Sequence, residues 1–224
     1  MTTNLKITFG IAAVVAAIVA MIAVFGDFGA RPIESAADTT AGRSAPTDVL
    51  VRPDSHTLST AADGKVTLVE FLDFECEACG AVFPHMERIR AEYDGRITLV
   101  VRYFPLPGHR NGELAARVAE AAGKQDRFEA MYAKLFETQR QWGEASESKE
   151  AFFVDLAKQV GLDMTAFQAD LAAPATAQRV KKDQDDGQSL GIQGTPTIFF
   201  NGAQLTEEPS YDNLKAKIDA ALAS

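Results

Sequence analysis

Hydrophobic and polar positions follow several different rhythms along this 224-residue chain. From Ile7 to Phe25 (ITFGIAAVVAAIVAMIAVF) there is no alternation at all: 19 residues carry no charge, enough as a helix to cross a bilayer core. Lys6 precedes the run and Asp27 follows it, so the positive-inside bias puts the rest of the chain on the exported side. The run is long for a leader peptide and Phe28-Gly29-Ala30 makes a poor cleavage site, so residues 1–27 are expected to be an uncleaved, single-pass membrane anchor. A lipoprotein would need a cysteine just after the run, and the first is Cys76.

Residues 28–63 are rich in Ala, Thr, Ser, Pro, Asp and Arg without sustained periodicity and are expected to form a flexible linker, with a short edge strand an option near Val49–Val51. The folded domain is expected at 64–224. Val66 to Asp73 (VTLVEFLD) is almost continuously apolar, the pattern of a strand buried on both faces. A helix is expected from Cys76 to Glu92, and a second strand at Ile97 to Phe104 (ITLVVRYF), bounded by Asp94-Gly95 and Pro105-Leu106-Pro107-Gly108. Strand, helix, strand in this order gives a parallel pair.

The rhythm then changes to helical spacing. Phe128, Met131, Tyr132, Leu135 and Phe136 fall on one face, and Phe152, Phe153, Leu156 and Val160 on another. Helices are therefore expected through an insertion at about 109–190. Strand character returns at Thr197 to Phe200, Asn201-Gly202 supplies a hairpin turn to Ala203–Leu205, and a last helix runs from Tyr211 to Ala223. The fold class is α/β.

Composition narrows the function. A formal charge of −9 and a pI near 4.9, with no basic cluster longer than Lys181-Lys182, exclude a nucleic-acid partner. The two cysteines, Cys76 and Cys79, can close only one small ring and cannot staple distant segments. A structural zinc site needs four ligands, and His56, His85 and His109 lack the spacing to complete one, so no metal is expected. No cofactor is expected either.

Cys76-Glu77-Ala78-Cys79 opens a helix directly after a buried strand. The first sulfur then meets unpaired N–H groups and the positive end of the helix dipole, which stabilise a thiolate nucleophile. The second, one turn later, can attack a mixed disulfide and release the partner. On these residues alone a redox pair is favoured over a zinc ribbon or an inert buried pair. Against the thiolate, Asp73, Glu75 and Glu77 crowd acidic charge around Cys76, which argues for a less oxidising site. His85 and His109 are assigned no role, because a lone histidine is more often a surface or packing residue than a catalyst.

The stretch VEFLDFECEACGAVFP, with Glu70 six residues before the first cysteine and Pro84 five after the second, resembles the active-site segment of the thioredoxin superfamily. Gly194-Thr195-Pro196-Thr197 resembles its cis-proline loop, and the helical block with YFPLPGHRNGELAARVAEAAGKQ resembles the insertion of DsbA-like, exported Gram-positive members. The resemblance covers roughly residues 64–224. It implies a thioredoxin fold with a helical insertion, a redox-active Cys76–Cys79 disulfide, a partly buried Glu70 that passes protons to or from Cys79, and a substrate-docking edge at Thr195 and Pro196. It also implies disulfide formation in exported proteins, whose thiols are the substrates, with reoxidation by a quinone-coupled membrane partner. An exported reductase or isomerase, or a non-catalytic client-binding module, are the alternatives.

Overall fold

The structure, a computed structural model, describes residues 43–224. The expected anchor at 1–27 and the first part of the expected linker lie outside the described residues. Among those described, no helix is long and apolar enough to cross a membrane.

Five strands form one sheet in the order β1-β3-β2-β4-β5, with β1 at His56–Ser59, β2 at Thr67–Leu72, β3 at Thr98–Tyr103, β4 at Thr197–Phe200 and β5 at Ala203–Gln204. β2 is central. It runs parallel to β3, with Glu70 opposite Val101, and antiparallel to β4, with Glu70 opposite Ile198. Apart from Thr67, every β2 residue is buried, as its unbroken apolar run requires. β4 and β5 turn on Asn201 and Gly202, both at positive φ (48° and 86°), the geometry that an Asn-Gly dipeptide accepts most readily.

Helices cover both faces. α1 is a single turn, Thr47–Leu50; α2 spans Glu77–Glu92 and α8 Tyr211–Ala223. Alternate side chains of β2 choose the face. Leu68 packs with Val82, Met86 and Ile89 of α2 and Leu214 and Ile218 of α8. Val69 and Phe71 point the other way, against Leu50, Phe104, Leu190, Ile192 and Phe199. Between β3 and β4 come α3 (Gly112–Gly123), α4 (Phe128–Glu137), a 3-10 turn (Gln139–Gln141), α5 (Glu150–Gln159), α6 (Met164–Ala172) and α7 (Pro174–Ser189). Their apolar stripes close on one another and on Leu72, Phe74, Cys76 and Cys79, so the insertion shares its core with the cysteine pair. At about 1.5–3 kcal/mol for each fully buried large side chain, this is the main adhesive between the insertion and the sheet.

The expected linker needs correction. From Arg43 onward the chain is part of the domain: Ser44 bridges Ala203, the Ala45 N–H donates to the Gly202 carbonyl at 2.8 Å, and Leu50 is buried. β1 pairs antiparallel with β3 inside the stretch read as linker. The strand near Val49–Val51 is instead the helical turn α1. The cause is composition: an edge strand such as His56-Thr57-Leu58-Ser59 needs only one apolar side chain, too few for a period to register.

Candidate active site

Cys76 is the N-cap residue of α2, with φ −66° and ψ 120°, and no side chain caps the helix. The first-turn N–H groups are therefore open to the sulfur. The Thr195–Pro196 peptide bond is cis, and the Cys76 thiol donates to the Thr195 carbonyl across 3.3 Å. Cys79, one turn along, is fully buried, and both cysteines are free thiols. The structure thus brings together Cys76, Cys79, Thr195 and Pro196, the four expected at the redox centre and docking edge.

The two sulfurs differ sharply. Cys76 is pulled down from the ordinary thiol value to about 5, first by the hydrogen bond from the Cys79 side chain and, against burial, by Thr195 and the N–H groups of Cys79 and Ala78. A carbonyl serves only the protonated sulfur. Once the proton leaves, the Thr195 hydroxyl, buried and without another partner among the described residues, is the group that can donate in its place. Burial pushes Cys79 the other way, well above an ordinary thiol, helped by its bond to Cys76 and by the charge of Glu70.

Glu70 lies on the face of β2 that α2 covers, and it is 2 % exposed. Burial first, then the nearby charges of Glu87 and Cys76, raise it to about 8. At neutral pH it is a neutral acid beneath the cysteine pair, able to give or take one proton.

Two of the three acids expected to crowd Cys76 are turned to donors of their own. Asp73 accepts the N–H groups of Glu75 (2.9 Å) and Leu106 (2.8 Å) and pairs with His109 Nδ1 at 2.6 Å. Glu75 accepts the N–H groups of Asn111 (2.6 Å) and Glu144 (3.1 Å). Both carboxylates are buried and held by backbone N–H donors, with His109 beside Asp73. Only Glu77 is exposed.

Two further residues at the site carry no role in the sequence reading. Gln139, in the 3-10 turn of the insertion, donates through Nε2 to the carbonyls of both Phe74 and Cys76 at 2.8 Å, clamping the turn that holds the nucleophile. Its trace was Gly80: a Cβ there would stand 2.1 Å from Gln139 Oε1. His109 was noted and left without a role. Among the described residues no cluster of three or more His, Cys, Asp or Glu side chains could hold a metal.

Comparison with known proteins places this geometry among relatives. A thioredoxin family model matches residues 59–220. A protein described as probable disulfide bond formation protein D of Bacillus anthracis is 32% identical over 169 residues, 71% of this chain and 75% of that one. A Na(+)/H(+) antiporter NhaA of Herminiimonas arsenicoxydans is 35% identical over 162 residues, 72% of this chain but 24% of the antiporter, so the chain spans about a quarter of the length of that relative. Among solved structures, a thioredoxin-like oxidoreductase from Silicibacter pomeroyi superposes with a TM-score of 0.67 at 28% identity, covering 80% of this chain and 99% of that one. Oxidised BdbD from Bacillus subtilis gives 0.66 at 26% identity, covering 82% and 98%.

Proposed function

Taking as premise that the chain belongs to the thioredoxin family, as a DsbA-like thiol–disulfide oxidoreductase, we propose that it donates disulfides to exported proteins through Cys76 and Cys79. The observation that carries this reading is the unequal setting of the two sulfurs: Cys76 at the open N-cap of α2, its thiol pulled down to about 5, and Cys79 fully buried and pushed well above an ordinary thiol. A stabilised Cys76 thiolate favours the reduced protein, which makes its disulfide a strong oxidant.

In the donor reaction a substrate thiolate attacks Cys76 Sγ of the Cys76–Cys79 disulfide. The new bond is a mixed disulfide, and the electron pair leaves on Cys79, which takes a proton from the neutral Glu70. The substrate's second thiolate then attacks the mixed disulfide and releases Cys76 as its thiolate, a good leaving group because its conjugate acid is strong. Thr195 and Pro196 line a groove with Gln193, Gly194 and Thr197 where an extended substrate segment can lie as an added strand. Gly194 there leaves open space beside the backbone.

The uncharged run from Ile7 to Phe25 supports an anchor in the cell membrane with this domain on the outer side. A membrane protein coupled to quinone is then the fitting electron acceptor that restores the disulfide.

Disulfide transfer tests the reading. The oxidised full-length chain, mixed with a reduced, unfolded client that has two cysteines, is expected to oxidise the client one for one. Cys79→Ser, first charged at Cys76 as a mixed disulfide with an aromatic thiol, is expected to exchange that thiol for a client with a single cysteine and hold it on Cys76, and Cys76→Ser to abolish transfer. Transfer that survives Cys76→Ser would remove the proposal.

A further inference from the structure

The groove beside Cys76 contains a histidine that the exchange steps above do not use. It holds about 560 Å³ and is lined by Cys76, Glu77, Ala78, His109 and Ser146 among others. His109 sits on the loop between β3 and α3, 30% exposed, and Asp73 behind it is fully buried. Asp73 already accepts two backbone N–H groups, so it meets the imidazole as a fixed acceptor. A carboxylate in that position holds the proton on Nδ1 and leaves the Nε2 lone pair for the groove.

We propose that His109, oriented by Asp73, takes the proton from the incoming substrate thiol and so delivers the thiolate to Cys76. The inference rests on the thiol–disulfide reading above and adds a catalytic residue to it. The proton passes from the substrate sulfur to His109 Nε2. The substrate sulfur bonds to Cys76 Sγ, the Cys76–Cys79 bond breaks, and its electron pair remains on Cys79. The oxidant is the protein's own disulfide. In the reverse direction the imidazolium returns the proton to the departing substrate sulfur, as microscopic reversibility requires.

The surroundings fit a base. Glu75, Glu77 and Glu144 line the same groove, and Asp73 lies behind the ring. Arg110 lines this groove as well, and a neighbouring groove on which His109 also borders adds Glu113 and Lys181. Burial pulls the imidazole down, but the Asp73 hydrogen bond and charge, with Cys76 and Glu75, outweigh it and leave it above its ordinary value of 6.5. Ordinary aliphatic thiols are mostly protonated at neutral pH, so a local acceptor is useful to them.

Two thiols separate this role from a structural one. The oxidised full-length chain and its His109→Gln variant are reacted under rapid quench with an aliphatic monothiol and with an aromatic thiol that is already ionised. With the aliphatic thiol, the wild-type rate is expected to level off above the imidazole titration. The variant's rate should climb about tenfold per pH unit and be slower near neutral pH by on the order of 10²-fold. The aromatic thiol is expected to react with both proteins alike. Equal slowing with both thiols, or slowing with neither, would overturn the assignment. A wild-type disulfide that reacts with neither thiol would instead overturn the exchange reading beneath it.

Discussion

Cys76 and Cys79 are the same side chain three residues apart, and their environments alone separate them. The Cys76 sulfur faces donors and titrates near 5, so a reduced sample should show thiolate absorbance appearing with a midpoint near that pH. A midpoint near 9 would contradict the site electrostatics. Linkage gives the sign for stability. The unfolded thiol titrates near 9, so the folded thiolate's contribution is complete above pH 9 and is lost as pH falls through 5. Near pH 7 it amounts to about 3 kcal/mol, present only in the reduced protein. Denaturation of reduced and oxidised protein should therefore drift in favour of the reduced form as pH rises from 5 to 9. Glu70 works oppositely: raised to about 8, it costs stability as pH climbs above the unfolded carboxyl value. Glu70→Gln is expected to stabilise the fold near pH 7 by about 2–3 kcal/mol and by almost nothing near pH 4, while slowing the step that protonates Cys79. Loss of stability near pH 7 would count against a neutral Glu70. At this scale spacing spoke at Cys76 and Cys79, whereas Glu70, Thr195 and Pro196 were singled out through the resemblance to the thioredoxin superfamily, and the structure sets all five around one site. The sequence was silent where partners matter, because nothing in the string Asp73-Phe74-Glu75 reveals that both carboxylates are met by backbone donors more than thirty residues away.

Among the elements, those with a strong period or a strict turn were readable: β2, α2, β3, the Asn201-Gly202 hairpin and α8 fall within a residue or two of expectation. β1 and α1 were not, since each is too short to show a repeat. Gly187 marks how closely α7 approaches the sheet. A Cβ there would come within 2.6 Å of the Phe104 ring and 3.2 Å of Phe71, both buried. Gly187→Ala gains helix propensity of about 1 kcal/mol, yet it must push rigid rings that have nowhere to go. A net destabilisation of about 1–3 kcal/mol is expected in chemical denaturation, and a stabilised variant would show that α7 packs more loosely.

Across the whole molecule, Arg102 joins three parts that lie far apart in sequence. Fully buried in β3, it donates to Asp183 at 2.7 Å and Asp186 at 2.6 Å on α7, and to the carbonyls of Val49 and Leu50 at 2.6 Å. Arg52 adds two bonds to Asp186, one to each carboxylate oxygen, at 2.5 Å. The sequence showed Arg102 only as one charge in an apolar strand, with no sign that the presumed linker was its partner. Arg102→Leu is expected to cost about 3–5 kcal/mol, because buried carboxylates lose their counter-charge. Burial raises Asp186 but the two arginines more than offset it, so its carboxyl titrates below 3.8. Its contribution is present above that value and lost as pH falls through the folded pKa, so the gap between wild type and variant should close in acid. A gap that stays constant with pH would assign the loss to packing.

The account turns on the direction of electron flow through Cys76 and Cys79. The measurement that addresses it directly is the steady-state redox state of the pair in intact cells, trapped by acid, alkylated and read by mass. A disulfide donor is predicted to stand mostly oxidised, and to become reduced when its membrane electron acceptor is removed. A pair found mostly reduced in untreated cells would contradict the account and identify a reductase or isomerase instead.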